Sequence, residues 1–302
     1  MTKQQVVLVT GSSNGFGSLI AETLARQGHQ VFASMRDIND RNQAKRDEIQ
    51  DKAKRENLSL QVIELDVTDD ASVEEGVKTV VEQTGRIDVL VNNAGIMYLG
   101  ITEAFTPEQA YRQMDTNFFG VVRTNRAVLP YMRQQGSGLL IHISSLGGGL
   151  VFPFNALYCA SKAALETLAE AYNYELFGLG IDSVIIEPGP FQTGLIKSQE
   201  DPQDREVSAQ YGPLAQVATQ IIQGFEQSVA RQELQDPQIV GDIVAKLVAM
   251  PSGSRPLRTI AGAIDFGLAP LNEAKKQAQY SLLQAWGLTQ LAEPSTLSVV
   301  HS

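Results

Sequence analysis

The sequence has one cysteine, Cys159, among 302 residues. That excludes an intramolecular disulfide and any multi-cysteine metal site, so a reducing, cytoplasmic setting is expected. Histidine is nearly as scarce, with only His29, His142 and His301. No histidine–acid cluster suggests a metal ligand set, and none is expected. His142 stands between Ile141 and Ile143 on an apolar run, where a satisfied core histidine is the expected role. Positive charge is also in short supply: 24 Lys and Arg face 34 Asp and Glu, a net charge of −10. Non-specific binding to nucleic acid or to an anionic membrane needs a basic surface and is excluded on that ground. A small anionic ligand held by one local patch is not. No stretch approaches the ~18 apolar residues of a membrane span. The opening MTKQQVVLVTG holds too short an apolar run for a secretory signal.

Hydrophobic residues make up 43% of the chain, enough for a sizeable core. Short β-branched runs recur: VVLVT (6–10), QVFAS (30–34), LQVIEL (60–65), DVLVN (88–92), LLIHIS (139–144) and DSVIIE (182–187). Between them apolar residues recur at threes and fours, as in Val73, Val77, Val80 and Val81, which is helical spacing. Alternating strand and helix predicts an α/β fold, a doubly wound parallel sheet flanked by helices. The strands are continuous apolar runs, as when both faces are buried. Residues 36–57 are nearly devoid of apolar side chains and predict a solvated helix. Residues 198–206, SQEDPQDRE, predict a mobile loop. Helices are expected over 207–231, 237–250 and from 271, with a last strand in 258–265. No interdomain linker stands out, so 1–302 reads as one domain, with 195–250 as a substrate lid and 270–302 as a C-terminal extension.

The first strand runs into TGSSNGFG (10–17). Gly11, Gly15 and Gly17 permit a tight turn and close approach of a phosphate, while the following helix N-terminus offers free N–H groups and a positive dipole end. Ser13, Asn14 and Phe16 share this loop and can add contacts. The spacing is G-x-x-x-G-x-G, and a glycine turn between strand and helix is common without any nucleotide. After the second strand, where an acid would bind a ribose 2′-hydroxyl, stands Arg36. An arginine there suits a 2′-phosphate; it is also an ordinary place for a solvated strand-end charge.

TGSSNGFG, LDVT (65–68), NNAG (92–95), Asn117 in MDTNFFG, ISS (143–145), YCASK (158–162) and PG (188–189) occur in the order and approximate spacing of the short-chain dehydrogenase/reductase family. The resemblance covers residues 5 to about 195. Within the family, SSLGGGLVFPFNALYCASKAALE resembles the non-extended 17β-hydroxysteroid and retinol dehydrogenase-like members. The resemblance implies an oxidoreductase that moves a hydride between a nicotinamide cofactor and a carbonyl or alcohol. NADP(H) is expected from Arg36, with NAD(H) possible.

The resemblance further implies catalytic roles for Asn117, Ser145, Tyr158 and Lys162. Tyr158 and Lys162, at i and i+4, share a helix face. Tyrosine has an ordinary pKa near 10. The lysine ammonium and an oxidised nicotinamide are expected to lower it, so that Tyr158 serves as acid or base. Ser145 would hydrogen-bond the substrate oxygen. Asn117 would hold a water leading from Lys162, and Lys162 would also hold the nicotinamide ribose. Asp66 and Val67 would flank the adenine, and Asn93, Ala94 and Gly95 the adenosine ribose. Pro188 and Gly189 would pass the nicotinamide and Thr193 would meet its amide or the phosphates, with Pro190 and Phe191 shaping the wall. The orientation of Glu187 stays open. Cys159 has no histidine partner and reads as inert packing.

The substrate wall is expected from 147–155, where GGGLVFPFN suits a lipophilic carbonyl compound or packs against the core. Leu195, Ile196, Tyr211 and Leu214 are lid candidates. A homodimer or homotetramer is expected by resemblance, through 107–133 and 156–177. The face Ala163–Ala164–Leu168–Ala171 suits either that contact or the sheet. Two other readings remain. One is a non-catalytic nucleotide-binding sensor or scaffold, against which the four catalytic candidates argue. The other is an epimerase or dehydratase, which would prefer a G-x-x-G-x-x-G loop.

Overall fold

A computed structural model describes residues 4–191, 195, 200–231 and 234–292. Seven strands are described: β1 (Val6–Val9), β2 (Gln30–Met35), β3 (Leu60–Glu64), β4 (Val89–Asn92), β5 (Gly138–Ile143), β6 (Ile181–Pro188) and β7 (Arg258–Ala261). They form one sheet in the order β3-β2-β1-β4-β5-β6-β7, and all six pairings are parallel. The doubly wound single-domain fold read from the alternating pattern is the fold observed.

The continuous apolar runs have the cause argued for them. On β1, Val7 and Val9 enter one core and Val6 and Leu8 the other. The first core packs α1 (Gly15–Arg26), α2 (Gln43–Glu56) and α9 (Gln238–Ala249) on one face. The second packs α3 (Asp70–Thr84), α5 (Gly120–Gln135) and α6 (Ala156–Phe177) on the other. Because the period of a strand is two, each face needs its own apolar set, and a run supplies both.

The polar stretch 36–57 is only partly helix. Arg36–Asn42 turns instead, with Asp37 at φ 54° and the Glu64 carboxylate accepting from the Asp37 and Ile38 N–H groups at 2.7 and 3.0 Å. The helix expected over 207–231 is broken: α7 is Arg205–Gln210, a 3₁₀ turn covers Gly212–Leu214, and α8 is Ala215–Ala230. Gly212 takes φ +55°, and Pro213 has no N–H to continue the ladder.

The expected mobile loop is, from Glu200 onward, a docked strap. The buried Gln109 on α4 (Pro107–Met114) donates to Asp201 O at 2.9 Å and accepts from Gln203 N at 3.0 Å. Arg112 meets Glu200 at 2.8 Å. Pro202 lies against Gly100, where any Cβ would overlap its ring. The C-terminal helix α10 spans Leu268–Ala285, starting three residues ahead of expectation. Residues 196–199 and 293–302, with Ile196 and His301, lie outside the described residues. No helix among the described residues is long and apolar enough to cross a membrane.

Candidate active site

In such a sheet, ligands bind beyond the carboxyl ends of the strands where the strand order reverses, which here lies between β1 and β4. A cleft opens there. It is lined by Gly11, Ser13, Asn14, Gly15, Phe16, Arg36, Asp66, Val67, Asn93, Ala94, Gly95, Tyr158 and Lys162, all singled out in the sequence. Arg41, Asn42, Thr116 and Ser144 also line it and were missed. Arg41 and Asn42 were hidden in a charged stretch read as solvated helix. Leu195, a lid candidate, lines this cleft.

Close approach dictates the glycines. Gly11 has φ +68°, and a Cβ there would lie 2.7 Å from Ala94 Cα. On Gly17 a Cβ would lie 2.5 Å from Asn93 Nδ2 and overlap Gly11 O. Asn93 therefore braces the loop: its Nδ2 donates to Thr10 O at 2.9 Å and Gly11 O at 3.0 Å. Thr10 Oγ1 in turn accepts from Asn93 N and Ala94 N. The first turn of α1 carries no acidic side chain, and Asn14 gives no side-chain cap. Its N–H groups are left for an anion.

At the adenosine end, Arg36 Nη1 stands 3.6 Å from Asp66 Oδ2. Asp66 Oδ1 accepts from Thr68 N and Oγ1. Arg36 is held by its backbone, since Asn42 Nδ2 donates to Arg36 O at 2.7 Å. Arg41, next to Asn42 in the chain, also lines the cleft.

At the other end, the Ser145 hydroxyl hydrogen-bonds Tyr158 and accepts from Gly147 N at 3.1 Å. Lys162 Nζ donates to Ile143 O at 2.8 Å and stands 5.7 Å from the Tyr158 ring centroid. Tyr158 and Lys162 are both buried. Burial pushes the Tyr158 hydroxyl up to about 12, opposed by the Ser145 hydrogen bond. Without the nicotinamide that the expected lowering also relied on, burial is the largest influence on this hydroxyl. Burial also brings Lys162 down to about 8, opposed by the Glu166 carboxylate.

Asn117 sits at the centre of a π turn, Asp115–Phe119, an irregularity common at functional sites. Its side chain is fully engaged, donating to Ile96 O and Ser161 Oγ and accepting from Ile96 N. A Cβ on Gly95 would lie 3.4 Å from Asn117 Oδ1 and 3.7 Å from Lys162 Nζ, so these groups share one wall.

Pro188 ends β6 and Gly189 N donates to Ala261 O, beside the cleft but not lining it. Thr193 lies outside the described residues. Phe191 does not form an open wall: it is buried in the core and meets Phe16 edge-on at 5.5 Å. Cys159 is buried, its thiol pushed up by burial. His142 is a core histidine, between Asn92 Nδ2 and Ser183 Oγ, and burial brings it down to about 3. Glu187 is fully buried among charged groups and does not line the cleft.

The short chain dehydrogenase family model matches residues 5–204. A 3-ketodihydrosphingosine reductase of Bacteroides thetaiotaomicron is 34% identical over 261 residues, covering 86% of this chain and 88% of the relative. Human 17-beta-hydroxysteroid dehydrogenase type 1 is 35% identical over 253 residues, 82% of this chain and 74% of the relative. A crystal structure of a short-chain dehydrogenase from Streptomyces avermitilis superposes with a TM-score of 0.74 at 29% identity, covering 95% of this chain and 98% of that one. The sheet and its cleft are those of a nucleotide-binding oxidoreductase. The chain belongs to the short-chain dehydrogenase/reductase family.

Proposed function

We propose that the protein is an NADP(H)-dependent carbonyl reductase, acting on a lipophilic ketone, with Tyr158 as the proton donor. The observation that carries this reading is the Tyr158 hydroxyl, bonded by Ser145 and one turn from Lys162, in the cleft that the glycine loop opens.

The residues present fit a dinucleotide. Glycines 11 and 17 let the loop pack closely against Ala94 and Asn93, which shapes the turn; the bare N-terminus of α1 suits a pyrophosphate, and Arg36 with Arg41 suits a 2′-phosphate. Asp66 and Val67 would take the adenine, and Lys162 the nicotinamide ribose. When bound, NADPH supplies the hydride. Ser145 positions the substrate oxygen, and Tyr158 delivers a proton to it. Burial keeps Tyr158 protonated through the neutral range, the state that donates in reduction.

Two relatives named for a keto sphingoid base and a hydroxysteroid support a lipophilic substrate. So does Phe152 of the 147–155 segment, which Phe266 meets edge-on at 6.4 Å. We also assign a homo-oligomer. Ala164, Leu168 and Ala171 are only half-buried and Ala163 is exposed, whereas Leu165 and Ala169 face the sheet, so the first set is free for a second copy.

The test is oxidation of NADPH and NADH in the presence of keto-sphingoid, steroid, retinal, aliphatic and aromatic carbonyl compounds, with wild type beside Tyr158→Phe. The expected result is turnover of one class by wild type. The phenylalanine variant should bind NADPH yet lose activity by about 10²–10⁴-fold. Full activity in Tyr158→Phe would sink the proposed role.

A further inference from the structure

Behind the cleft lies a buried group of charges that the proposed reaction does not use. Glu166 follows Lys162 by one turn of α6 and is 3% exposed. Its Oε1 accepts from Ser144 Oγ at 2.8 Å, and its Oε2 lies 3.5 Å from Arg258 Nε. Arg258, on β7, is itself buried and is shared. Its Nη2 donates to Glu170 Oε2 at 2.7 Å, and its Nε stands 3.9 Å from Glu187 Oε1. Helix α10 closes the group, with Asn272 Nδ2 donating to Glu187 Oε2 at 2.7 Å and Lys275 Nζ 3.2 Å from Glu170 Oε2. Glycine at 148 makes room for it: a Cβ there would overlap the Glu166 carboxylate and lie 2.8 Å from Ser144 Oγ.

Three carboxylates therefore divide one buried guanidinium, with a second cation only at the rim. Lys162 poses the opposite problem. It is buried, and its hydrogen bond goes to a neutral carbonyl, Ile143 O. A buried ammonium without a counter-charge is costly and sheds its proton. We propose that Glu166 is a positioning residue that keeps Lys162 charged, and that by gripping Ser144 it also fixes the strand end that presents Ser145. This rests on the reading of Tyr158 and Lys162 as the proton-donating pair.

The other groups facing Lys162 and Glu166 do not supply that charge. His142 on β5 is neutral through this range, and Tyr158 keeps its proton. Asn117 is neutral and engaged with Ile96 and Ser161. Glu170 and Glu187 lie further round the group, against Arg258 and α10. Glu166, one turn along α6, raises Lys162 against its burial, and burial raises Glu166 itself, opposed by its Ser144 hydrogen bond and by Arg258.

The test reads Lys162 directly. The full chain, labelled with carbon-13 at lysine Cε and without cofactor, is titrated by NMR as wild type, Glu166→Gln and Ser144→Ala, with Lys162→Arg to assign the signal. Glutamine keeps an acceptor for Ser144 and removes only the charge. The Lys162 midpoint is expected to fall by about one pH unit in Glu166→Gln, the size of one charge a turn away at an effective dielectric of ~20–40. It should stay in place in Ser144→Ala. An unchanged midpoint in folded Glu166→Gln overturns the proposal, as does an equal fall in Ser144→Ala, which would trace the shift to packing. If Glu166→Gln does not fold, Glu166→Asp withdraws the same charge by one methylene. A smaller fall is then expected, and no fall overturns the proposal. None of these readings needs turnover, so failure to find a reducible ketone would count against the proposed activity and leave this result intact.

Discussion

Tyr158 and Lys162 lie one turn apart on α6, yet the ammonium gives its hydrogen bond to Ile143 O and stands 5.7 Å from the tyrosine ring. The two groups are thus neighbours without direct contact, and burial moves them in opposite directions, the hydroxyl up to about 12 and the ammonium down to about 8. The group that changes charge near neutrality is the lysine.

That order predicts a pH profile. In ketone reduction, kcat/KM should hold through the neutral range and fall as pH rises through about 8, where Lys162 loses its proton. Tyr158 is still protonated there and does not set the limb. Steady-state rates measured across this range check it, and a limb found only near the tyrosine value would contradict it.

Arg36 and Arg41 both line the cleft, and Asp66, at 3.6 Å, is the one charged partner of Arg36 among the described residues. Replacing either by alanine should weaken NADPH binding by about 10–100-fold, the worth of one charge-assisted hydrogen bond, and leave NADH binding nearly unchanged. Fluorescence titration with both nucleotides measures the ratio. Equal losses for both would show that the arginines do not read a 2′-phosphate.

Gly17→Ala places a methyl group against Gly11 O and Asn93 Nδ2, and the first is backbone that cannot swing aside. The turn that shapes the cleft must open. A loss of about 1–3 kcal/mol in stability is expected, together with loss of nucleotide binding. Denaturant melts and the same titration test it. Gly28→Ala, where the new methyl meets nothing within 4 Å, is a comparison for glycine loss at a positive φ.

The glycine loop, the cleft strands and the Tyr158–Lys162 spacing were legible because each is local: a run of neighbours or a helical repeat carries it. Other features depend on chain folded back from far away. Arg41 comes to the cleft only because Glu64, on the neighbouring strand, caps the turn after Arg36. The strap at 200–204 looks mobile by composition and is held by Gln109, some ninety residues earlier in the chain. Phe191 reads as cleft wall and turns inward to Phe16. The Tyr158 shift could not be read from YCASK at all, since it follows from burial, which the motif does not state.

Gln109 offers a direct check on the strap. It is fully buried and supplies both a donor and an acceptor to Asp201 and Gln203. Gln109→Leu should leave those backbone groups unpaired, at about 1–3 kcal/mol locally, and release the strap. Trypsin cleavage at Arg205 should then quicken several-fold while the global melt changes little. Unchanged cleavage would mean that Pro202 against Gly100, Arg112 with Glu200 and the Asp204 N–H to Ala104 O hold the strap without Gln109.

Glu187 sets a pH dependence of stability whose sign can be worked out. Its carboxyl is raised from 4.5 to about 7, first by burial and then by the Glu166 charge. Between those values the folded state holds a proton that the unfolded chain has released. Its contribution is therefore complete below 4.5 and is lost as pH rises through about 7. His142 acts the other way and lower down: held neutral with a value near 3, it costs stability as pH falls below 6.5. Glu187→Gln removes the first effect and leaves the second. Asn272 keeps an acceptor in the glutamine, while Arg258 loses one of its three carboxylates. The variant should match wild type at mildly acidic pH and exceed it by about 1–3 kcal/mol above neutrality, an upper range set by the shift itself. Urea unfolding at both ends of the window decides it. A variant less stable than wild type above neutrality would show that Glu187 is ionised there and paired with Arg258.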